Sequence, residues 1–375
     1  MKIAILTLPL HTNYGGILQA YALQSILEKM GHEVDVLHNV KISSHKWWVM
    51  PLVYGKRMIL KAMKDRSIPI FAERRLLHDK KVIEKYTSRF IDKHINLRKI
   101  KSLRQIKKND YDAIVVGSDQ IWRSRYFKSA WHTEMKDAFL NFTKGWGIRR
   151  ISYAASFGLD NLNEYSSKEV ESCRQALKAY NSVSVREKSG IALLKEIGIK
   201  SIQVLDPTLL LDKEDYLKLL DEDGGISSKG DLFCYILDRT PYKEKVISTI
   251  AKERELQPFF VGNEVSNSKL PLEKRIQPPV EDWLRGFRDA KFIVTDSFHA
   301  CVFSIIFGKP FVVIGNDHRG LTRFTSLLSL FGLEDRMLLE GDKIDVTDID
   351  NSSVESELNN NRMFSEDFLR IALEQ

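Results

Sequence analysis

The feature that most constrains the fold is an alternation of short apolar runs with segments of helical periodicity. The first run, residues 3–10, is followed by a helical segment over 17–30 that ends at Gly31, and then by a second run over 34–37. A strand, a helix and a second strand in this order form a βαβ unit, which opens a parallel sheet. Strands that are apolar on both faces belong to sheets covered by helices on both sides. We therefore predict a doubly wound α/β fold.

The same alternation continues along the chain. The later runs that we predict as strands cover residues 113–116, 151–155, 183–185, 202–205, 232–237, 259–261, 292–295 and 311–314. With 375 residues the chain exceeds the usual size of one domain, and a polar stretch rich in glycine and serine separates two groups of strands at 221–230. We predict a first domain at 1–220, a second at 231–345 and a C-terminal tail at 346–375 that contains a helix over 365–373.

A basic segment interrupts the first domain between residues 41 and 108. It holds 20 Lys and Arg against 5 Asp and Glu, although the whole chain carries a net charge of only +7. Trp47, Trp48, Met50 and Phe71 lie in the same segment. The segment is therefore either a solvated helical insertion or a peripheral contact with an anionic membrane. No nucleic-acid-binding motif accompanies the charge, so we expect no nucleic acid partner.

The cysteines and the apolar runs indicate the compartment. Cys173, Cys234 and Cys301 form no CxxC or CxxH pattern, so we expect neither a disulfide framework nor a zinc site, and a reducing environment. The run at 3–10 is too short to span a bilayer, no signal cleavage site follows it, and no later run approaches the roughly 20 apolar residues that a span needs. We expect a cytoplasmic protein, with attachment to the inner face of the membrane left open by the basic segment.

Ligands of open α/β sheets bind beyond the carboxyl ends of the strands, so polar residues there are candidate site residues. After the first run these are Asn13, Tyr14, Gly15 and Gly16. Two glycines allow the backbone to approach a ligand, and the following helix N-terminus offers free N–H groups to an anion. The alternative is a tight turn that needs glycine only for its backbone conformation.

The run at 113–116 leads into GSDQIW, where the candidates are Ser118, Asp119, Gln120 and Trp122. Asp119 would orient a sugar hydroxyl or act as a general base, although Ser118 or Asp119 could instead cap a helix. The runs at 151–155 and 183–185 are followed by Ser156 and Arg186. The planar guanidinium of Arg186 would hold a carboxylate or a phosphate.

The motif TDSFHA, residues 295–300, contributes Asp296, Ser297 and His299. His299 falls in the first turn of the next helix, where the helix dipole disfavours the imidazolium unless an anion lies nearby. A bound phosphate or carboxylate would raise its pKa toward working pH, which suits a general acid. The alternative is that Asp296 or Ser297 caps the helix and His299 is only hydrogen-bonded.

A last cationic group follows the run at 311–314. It contains His318, Arg319 and Arg323, which together suggest a bound anion, with ordinary surface solubility as the alternative. The chain has no HxH or HExxH pattern and no series of acidic residues. We therefore expect no catalytic metal and no cofactor.

Six motifs together resemble the polysaccharide pyruvyl transferase family. In chain order they are NYGGILQAYAL, GSDQIW, SVRE, LDPTLLL, TDSFHA and RGLTRFTSLL, and the resemblance spans residues 3–330. It implies two Rossmann-like domains that face each other across a cleft, as in glycosyltransferases of the B type. It also implies transfer of pyruvate from phosphoenolpyruvate, the donor substrate, to hydroxyls of a sugar, with formation of a ketal.

The resemblance implies roles for individual residues. Family members bind phosphoenolpyruvate through arginines and through the histidine of an Arg-x-His pattern, which here reads Ser297-Phe298-His299. His299 takes the place of that histidine and would be the general acid, with Asp119 as the acceptor base or orienter. The family arginine is absent, and Arg186, Arg319 and Arg323 are its candidate substitutes.

The acceptor implied by the resemblance is a hexose or hexosamine of a capsule, exopolysaccharide or glycolipid precursor, including a lipid-linked oligosaccharide. Two other functions stay open on the same fold. One is a glycosyltransferase of the B type that uses a nucleotide sugar. The other is a sugar-binding or anion-binding relative without catalytic activity.

Overall fold

The computed structural model describes residues 1–40, 48–63, 69–221, 224–315, 321–344 and 349–374. The strands within these ranges assemble into two parallel sheets. The first half of the chain contains β1 Lys2–Leu6, α1 Tyr14–Lys29, β2 Glu33–Asn39, α2 Met50–Met63, α3 Ala72–Ile83, α4 Lys85–His94, β3 Leu97–Ile100, β4 Ala113–Val116, α5 Ser124–Trp131, β5 Arg149–Ala155, α6 Ser167–Leu177, β6 Ser182–Val185, α7 Lys188–Glu196, β7 Ile202–Gln203 and α8 Lys213–Asp221. The second half contains β8 Leu232–Tyr235, α9 Pro241–Glu253, β9 Pro258–Phe260, α10 Val280–Asp289, β10 Phe292–Thr295, α11 Phe298–Ile306, β11 Phe311–Ile314, α12 Leu321–Leu328, β12 Met337–Leu338 and α13 Asn351–Glu374.

Each sheet has one switch point in its strand order, and ligands of such sheets usually bind at switch points. The first sheet has the order β3-β2-β1-β4-β5-β6-β7 and the second has β12-β11-β10-β8-β9. The chain changes direction across the sheet between β1 and β4 in the first sheet and between β8 and β10 in the second. Loops that leave the carboxyl ends of strands at such a switch point diverge and open a crevice. The parallel pairing confirms the predicted doubly wound α/β fold.

The two halves share a core. Tyr14 on α1 stacks on Trp283 of α10 with ring centroids 5.5 Å apart, and its hydroxyl donates to the backbone oxygen of Pro278 at 2.9 Å. Both rings are fully buried. Helix α13 follows the second sheet but returns to the first half, where Ser365 Oγ accepts a hydrogen bond from the Leu205 backbone N–H at 3.0 Å.

Some predicted boundaries are wrong. Strand β1 ends at Leu6 instead of residue 10, because Pro9 has no N–H to give to a sheet ladder and the Thr7 carbonyl is taken by the Trp131 indole at 3.0 Å. Strand β8 ends at Tyr235, and the Leu237 N–H donates to Asp296 Oδ1 at 2.7 Å instead of continuing the ladder. The C-terminal helix is far longer than the predicted 365–373.

The basic segment contributes helices α2 to α4 and the edge strand β3, while Trp47 lies outside the described residues. Within the described ranges, every helix is too short or too polar to cross a membrane.

Candidate functional site

A buried cluster of charged side chains forms where the strand ends of the two sheets meet. Arg186 follows β6, Asp206 follows β7, Ser118 follows β4, and His299 lies in the first turn of α11 after β10. All four side chains are at least nine-tenths buried. The cluster therefore combines loops of the first sheet with a helix N-terminus of the second.

Asp206 lies at the centre of this cluster. Its Oδ2 accepts hydrogen bonds from Arg186 Nη1 at 2.8 Å and from Ser118 Oγ at 3.0 Å, and its Oδ1 accepts from the backbone N and Oγ1 of Thr208 at 3.1 and 2.7 Å. Burial alone would raise the pKa of this carboxyl, but Arg186, His299 and the hydrogen bonds outweigh it, and the pKa lies below its ordinary value. Asp206 is therefore a carboxylate that fixes Arg186.

Arg186 keeps one edge of its guanidinium available. Nη1 is bound to Asp206, whereas Nε and Nη2 are buried with no hydrogen-bond partner among the described residues. Glu187 Oε2 lies 3.7 Å from Nε, beyond hydrogen-bonding distance. The Phe298 ring covers one face of the guanidinium, with 4.2 Å between Cζ and the ring centroid. Two parallel N–H groups on one edge fit a carboxylate or phosphate in bidentate geometry.

His299 approaches the same carboxylate oxygen of Asp206 and is 7% exposed. Its Nε2 is 3.8 Å from Asp206 Oδ2 and has no hydrogen-bond partner in the described part of the chain. Burial lowers the pKa of His299, while the carboxylates of Asp206 and Asp119 act in the opposite direction. The imidazole is therefore neutral near pH 7 while no anion is bound.

Arg323 brings a second buried guanidinium to the cluster from α12. Its Cζ lies 5.9 Å from the centroid of the same Phe298 ring. Burial, followed by the charge of Arg186, lowers the pKa of Arg323 to about 10. Two like charges that repel each other in a buried site favour an added anion.

Asp119 connects the cluster to an open cleft. Its backbone adopts φ 60°, the left-handed region that few residues other than glycine occupy. Its charge acts on His299, Arg186 and Arg323. Asp119 also lines a cleft of about 550 Å³ together with His11, Asn13, Gly16, Lys80 and Tyr126. A residue held in a sparsely populated conformation between a buried charged cluster and a cleft is a candidate for function.

A second cleft, of about 1190 Å³, opens at the ends of β8 and β9. Asn13 lines both clefts, so the loop before α1 lies between them. Phe260 at its rim is 43% exposed and carries the Arg239 guanidinium 4.2 Å above its ring.

Several predicted ligand contacts after β4 and β5 have structural roles instead. Trp122 is fully buried, stacks on Phe139 at 4.8 Å and donates its indole N–H to the Ala138 carbonyl at 3.2 Å. Ser156 Oγ accepts from the Gly158 N–H at 3.0 Å, which closes a tight turn. Gln120 Oε1 accepts from Arg123 Nη1 at 3.0 Å. Trp122 and Ser156, both fully buried, support the loops, and the buried Ser118 supports Asp206, whereas Gln120 is only partly buried and stays a predicted ligand contact.

Of the predicted residues after β1, Gly15 and Tyr14 have packing roles. A Cβ placed on Gly15 would lie 2.6 Å from Cβ of His299 and nearer still to Cγ and Nδ1 of its ring. Gly15 is therefore required by close packing against His299, and Tyr14 by the shared core. Gly16 and Asn13 line the first cleft and remain candidates for ligand contact.

The carboxylate of Asp296 is engaged by other parts of the chain, whereas Ser297 stays a predicted ligand contact. The carboxylate of Asp296 accepts hydrogen bonds from Lys243 Nζ at 2.6 Å and from the backbone N–H groups of Leu237 and Asp238 at 2.7 and 3.1 Å. This carboxylate ties the loop after β8 to β10. Ser297 occupies the N-cap position of α11 without a side-chain capping bond. His318 and Arg319 lie outside the described residues.

Sequence reasoning missed Asp206, Glu187 and Phe298 as members of the site. Asp206 lies in LDPTLLL and Glu187 in SVRE, so both stood in motifs that had been noticed but had no assigned chemistry. Glu187 Oε1 accepts from the Phe157 N–H at 3.1 Å. Phe298 resembled an ordinary core residue, and its role as a ring beneath two guanidinium groups depends on contacts across the two halves.

Solved structures show the fold that this chain shares. The UDP-GlcNAc 2-epimerase of Methanocaldococcus jannaschii matches with a TM-score of 0.51 at 15% identity over 100% of both chains. The UDP-GlcNAc 2-epimerase of Neisseria meningitidis matches with 0.45 at 12% identity, covering 99% of this chain and 94% of that one. The ADP-heptose heptosyltransferase II of E. coli matches with 0.38 at 13% identity, covering 98% and 100%. The first similarity confirms the predicted arrangement of two α/β units of the glycosyltransferase B type.

Sequence comparison identifies the family. No curated protein matches the chain at a significant level. The profile of a family described as polysaccharide pyruvyl transferase matches residues 13–318. Apart from α12, the elements that contribute described residues to the cluster all lie in this range. Because this match covers most of the sequence, the chain belongs to the polysaccharide pyruvyl transferase family.

Proposed function

We propose that this protein is a polysaccharide-modifying transferase that moves pyruvate from phosphoenolpyruvate to two hydroxyls of a sugar and forms a cyclic ketal. One observation carries the proposal. Nε and Nη2 of Arg186 and Nε2 of His299 are buried in one cluster around Asp206, and none of them has a hydrogen-bond partner in the described structure. Buried polar groups are normally satisfied, so an anionic ligand that accepts these hydrogen bonds accounts for them.

Phosphoenolpyruvate has acceptor groups for the unpaired donors of Arg186 and His299. Its carboxylate or phosphate would accept from Nε and Nη2 of Arg186, and Arg323 would neutralise the other anionic group. Asp206 holds Arg186 from the opposite edge, so the free edge is oriented before the donor arrives. In this arrangement Arg186 and Arg323 replace the arginine that the family pattern places at the position of Ser297.

His299 fits the role of general acid once the donor is bound. Burial lowers its pKa, and an adjacent phosphate or carboxylate would raise it. Binding of the donor would therefore favour the protonated imidazole. An acid whose pKa lies near working pH transfers protons efficiently.

The reaction balances with the groups present. His299 delivers a proton to the methylene carbon of the donor, the first acceptor hydroxyl attacks the adjacent carbon, and Asp119 takes the proton of that hydroxyl. The second hydroxyl then attacks the same carbon, the bond between this carbon and the phosphate oxygen breaks, and phosphate leaves with the second proton. Proton exchange with solvent restores both side chains. Holding two hydroxyls at fixed spacing supplies part of the rate enhancement.

The acceptor would lie in the cleft of about 550 Å³ that Asp119 lines. The amide of Asn13 and the hydroxyl of Tyr126 border this cleft and offer hydrogen bonds to a sugar, and the phenol ring of Tyr126 is 40% exposed. These features fit a hexose or hexosamine of a surface polysaccharide or glycolipid precursor.

The proposal is tested by turnover with phosphoenolpyruvate and a panel of hexose and hexosamine acceptors. Phosphate release that requires both substrates supports the proposal. The product should then be heavier than the acceptor by the mass of one pyruvic acid minus one water. Parallel reactions contain a nucleotide sugar in place of phosphoenolpyruvate. Transfer from the nucleotide sugar alone, or binding of both ligands without any product, would reject pyruvyl transfer.

A further inference from the structure

We infer that the hairpin of α2 and α3 is a docking surface for an anionic lipid bilayer. Its exposed apolar side chains are Trp48, Leu52, Met58, Ile59, Met63, Phe71, Leu76 and Leu77. Elsewhere in the described chain, exposed large apolar residues are scattered over many elements. A concentration of exposed apolar side chains on two adjacent helices indicates an interaction site.

Helix α2 has the pattern of a helix that lies on a membrane. None of its 14 residues is buried. Leu52, Ile59 and Met63 are spaced i, i+7 and i+11, which places them along one face of the helix, and they are 76%, 60% and 79% exposed. A helix of this length spans only about 21 Å, so it suits the interface and not the bilayer interior.

The charge of the same segment selects the partner. The described residues of the hairpin, 48–63 and 69–83, hold seven Lys and Arg against two Asp and Glu. Arg74 and Arg75 are exposed directly beside Leu76 and Leu77, and Lys56 lies on the apolar face of α2. Basic residues around inserted apolar side chains are the combination that binds anionic leaflets, and each cation near the surface adds attraction.

The hairpin is attached firmly to the rest of the molecule. Arg57 forms two 2.8 Å hydrogen bonds with the carboxylate of Glu73, which joins α2 to α3. The Tyr54 and Phe71 rings meet edge to face with centroids 5.1 Å apart. At the base of α3, the Ile83 carbonyl accepts from the Gln277 N–H at 2.9 Å. A bilayer bound to the hairpin would therefore be held in a defined orientation to the clefts.

The surface continues to the first cleft. Lys80 on α3 lines this cleft together with Asp119, and Glu84, directly after α3, lies 3.5 Å from His11 on the cleft wall. A sugar carried on a membrane lipid would thus reach Asp119 from the docked face. This consequence for the acceptor depends on the proposed function, whereas the docking surface does not.

Flotation with lipid vesicles tests the surface directly. The full-length protein is mixed with phosphatidylcholine vesicles that contain or lack phosphatidylglycerol, at low and high salt. We expect flotation only with the anionic vesicles and loss of flotation at high salt. Absence of flotation with anionic vesicles at low salt would overturn the inference.

Paired variants separate the apolar and basic contributions. Leu52→Ser/Ile59→Ser/Met63→Ser should abolish flotation, and Arg74→Gln/Arg75→Gln should reduce partitioning on the order of 30-fold, from roughly 1 kcal/mol per cation. The matched controls are Ile226→Ser/Met363→Ser/Phe364→Ser and Lys195→Gln/Lys200→Gln, which alter exposed residues elsewhere.

The outcomes distinguish this inference from others. Equal flotation of test and control variants would overturn it, and so would a dimer in solution that the serine variant of α2 converts to a monomer. Turnover with a soluble acceptor is measured on the same samples. Loss of flotation with unchanged turnover supports the inference, and failure of turnover in the wild-type protein tests only the proposed function.

Discussion

Replacing Gly15 by alanine should displace the histidine on which the proposed chemistry depends. The new Cβ would lie 2.6 Å from His299 Cβ and closer to the ring, whereas ordinary contact begins at 3.4 Å. The neighbour cannot yield like the end of a flexible side chain, because His299 is held in the first turn of the buried helix α11. The ring and its backbone must therefore shift by roughly 1 Å, a displacement that can cost on the order of 100-fold in turnover.

Gly16→Ala is the matched control in the same helical turn. Its Cβ would meet Asn13 Nδ2 at 3.3 Å, and Asn13 is an exposed side chain that can rotate away. Both substitutions reduce the freedom of the unfolded chain, which favours folding by about 0.4–1 kcal/mol. Only Gly15→Ala adds an overpacking cost of about 1–3 kcal/mol.

The assay is calorimetric titration with phosphoenolpyruvate, combined with denaturant unfolding of both variants. We expect Gly15→Ala to be the less stable variant and to lose donor binding, and Gly16→Ala to unfold like the wild type or slightly later. Equal donor affinity and equal unfolding free energy in the two variants would refute the packing of Gly15 against His299.

Other predictions test the buried contacts of the cluster. Asp206→Asn removes the hydrogen-bonded counter-charge of the buried Arg186 and should lower the free energy of unfolding by about 3–5 kcal/mol, measured with denaturant at pH 7. The pKa of Asp206 is lowered from 3.8 in the folded protein, so its stabilising contribution is present above pH 3.8 and is lost as the pH falls below it. In the acid range, the free energy of unfolding of the variant should therefore fall less steeply with decreasing pH than that of the wild type. An equally steep fall in both proteins would contradict the ion pair. Phe298→Leu removes the ring 4.2 Å from Arg186 and should weaken donor binding by about 1–2 kcal/mol in titration calorimetry, whereas unaltered affinity would show that the ring does not orient the guanidinium. Trp122→Phe loses the bond to the Ala138 carbonyl and should lower the melting temperature while donor affinity stays unchanged; weakened donor binding would return Trp122 to the site.

The strands were predictable from the sequence because their signal is local. Apolar runs such as 113–116 and 292–295 gave the strand bounds directly, since both faces of these strands are buried. The ends of β1 and β8 were missed because side chains distant in sequence, Trp131 and Asp296, take the backbone groups that the ladder would have used.

The site could be predicted only in part from the sequence. Arg186, Arg323, His299 and Asp119 could be chosen from their positions after apolar runs, which the topology brings to one edge of each sheet. The separation of ligand contacts from supporting residues could not be predicted. Asp296 and Asp206 both follow strands, and only the structure shows the first carboxylate engaged by Lys243 and the second by Arg186.

The central claim is that His299 and Arg186 form a site for phosphoenolpyruvate. The most direct test is titration calorimetry with phosphoenolpyruvate near neutral pH in two buffers of different ionisation enthalpy, with the wild type and His299→Gln. Because burial holds the pKa of the free imidazole below 6.5 and a bound anion would raise it, wild-type binding should take up a proton and weaken as the pH rises. The variant, shown to be folded by its melting curve, should bind without the proton that the imidazole contributes. Absence of binding, or the same proton uptake in both proteins, would contradict the account.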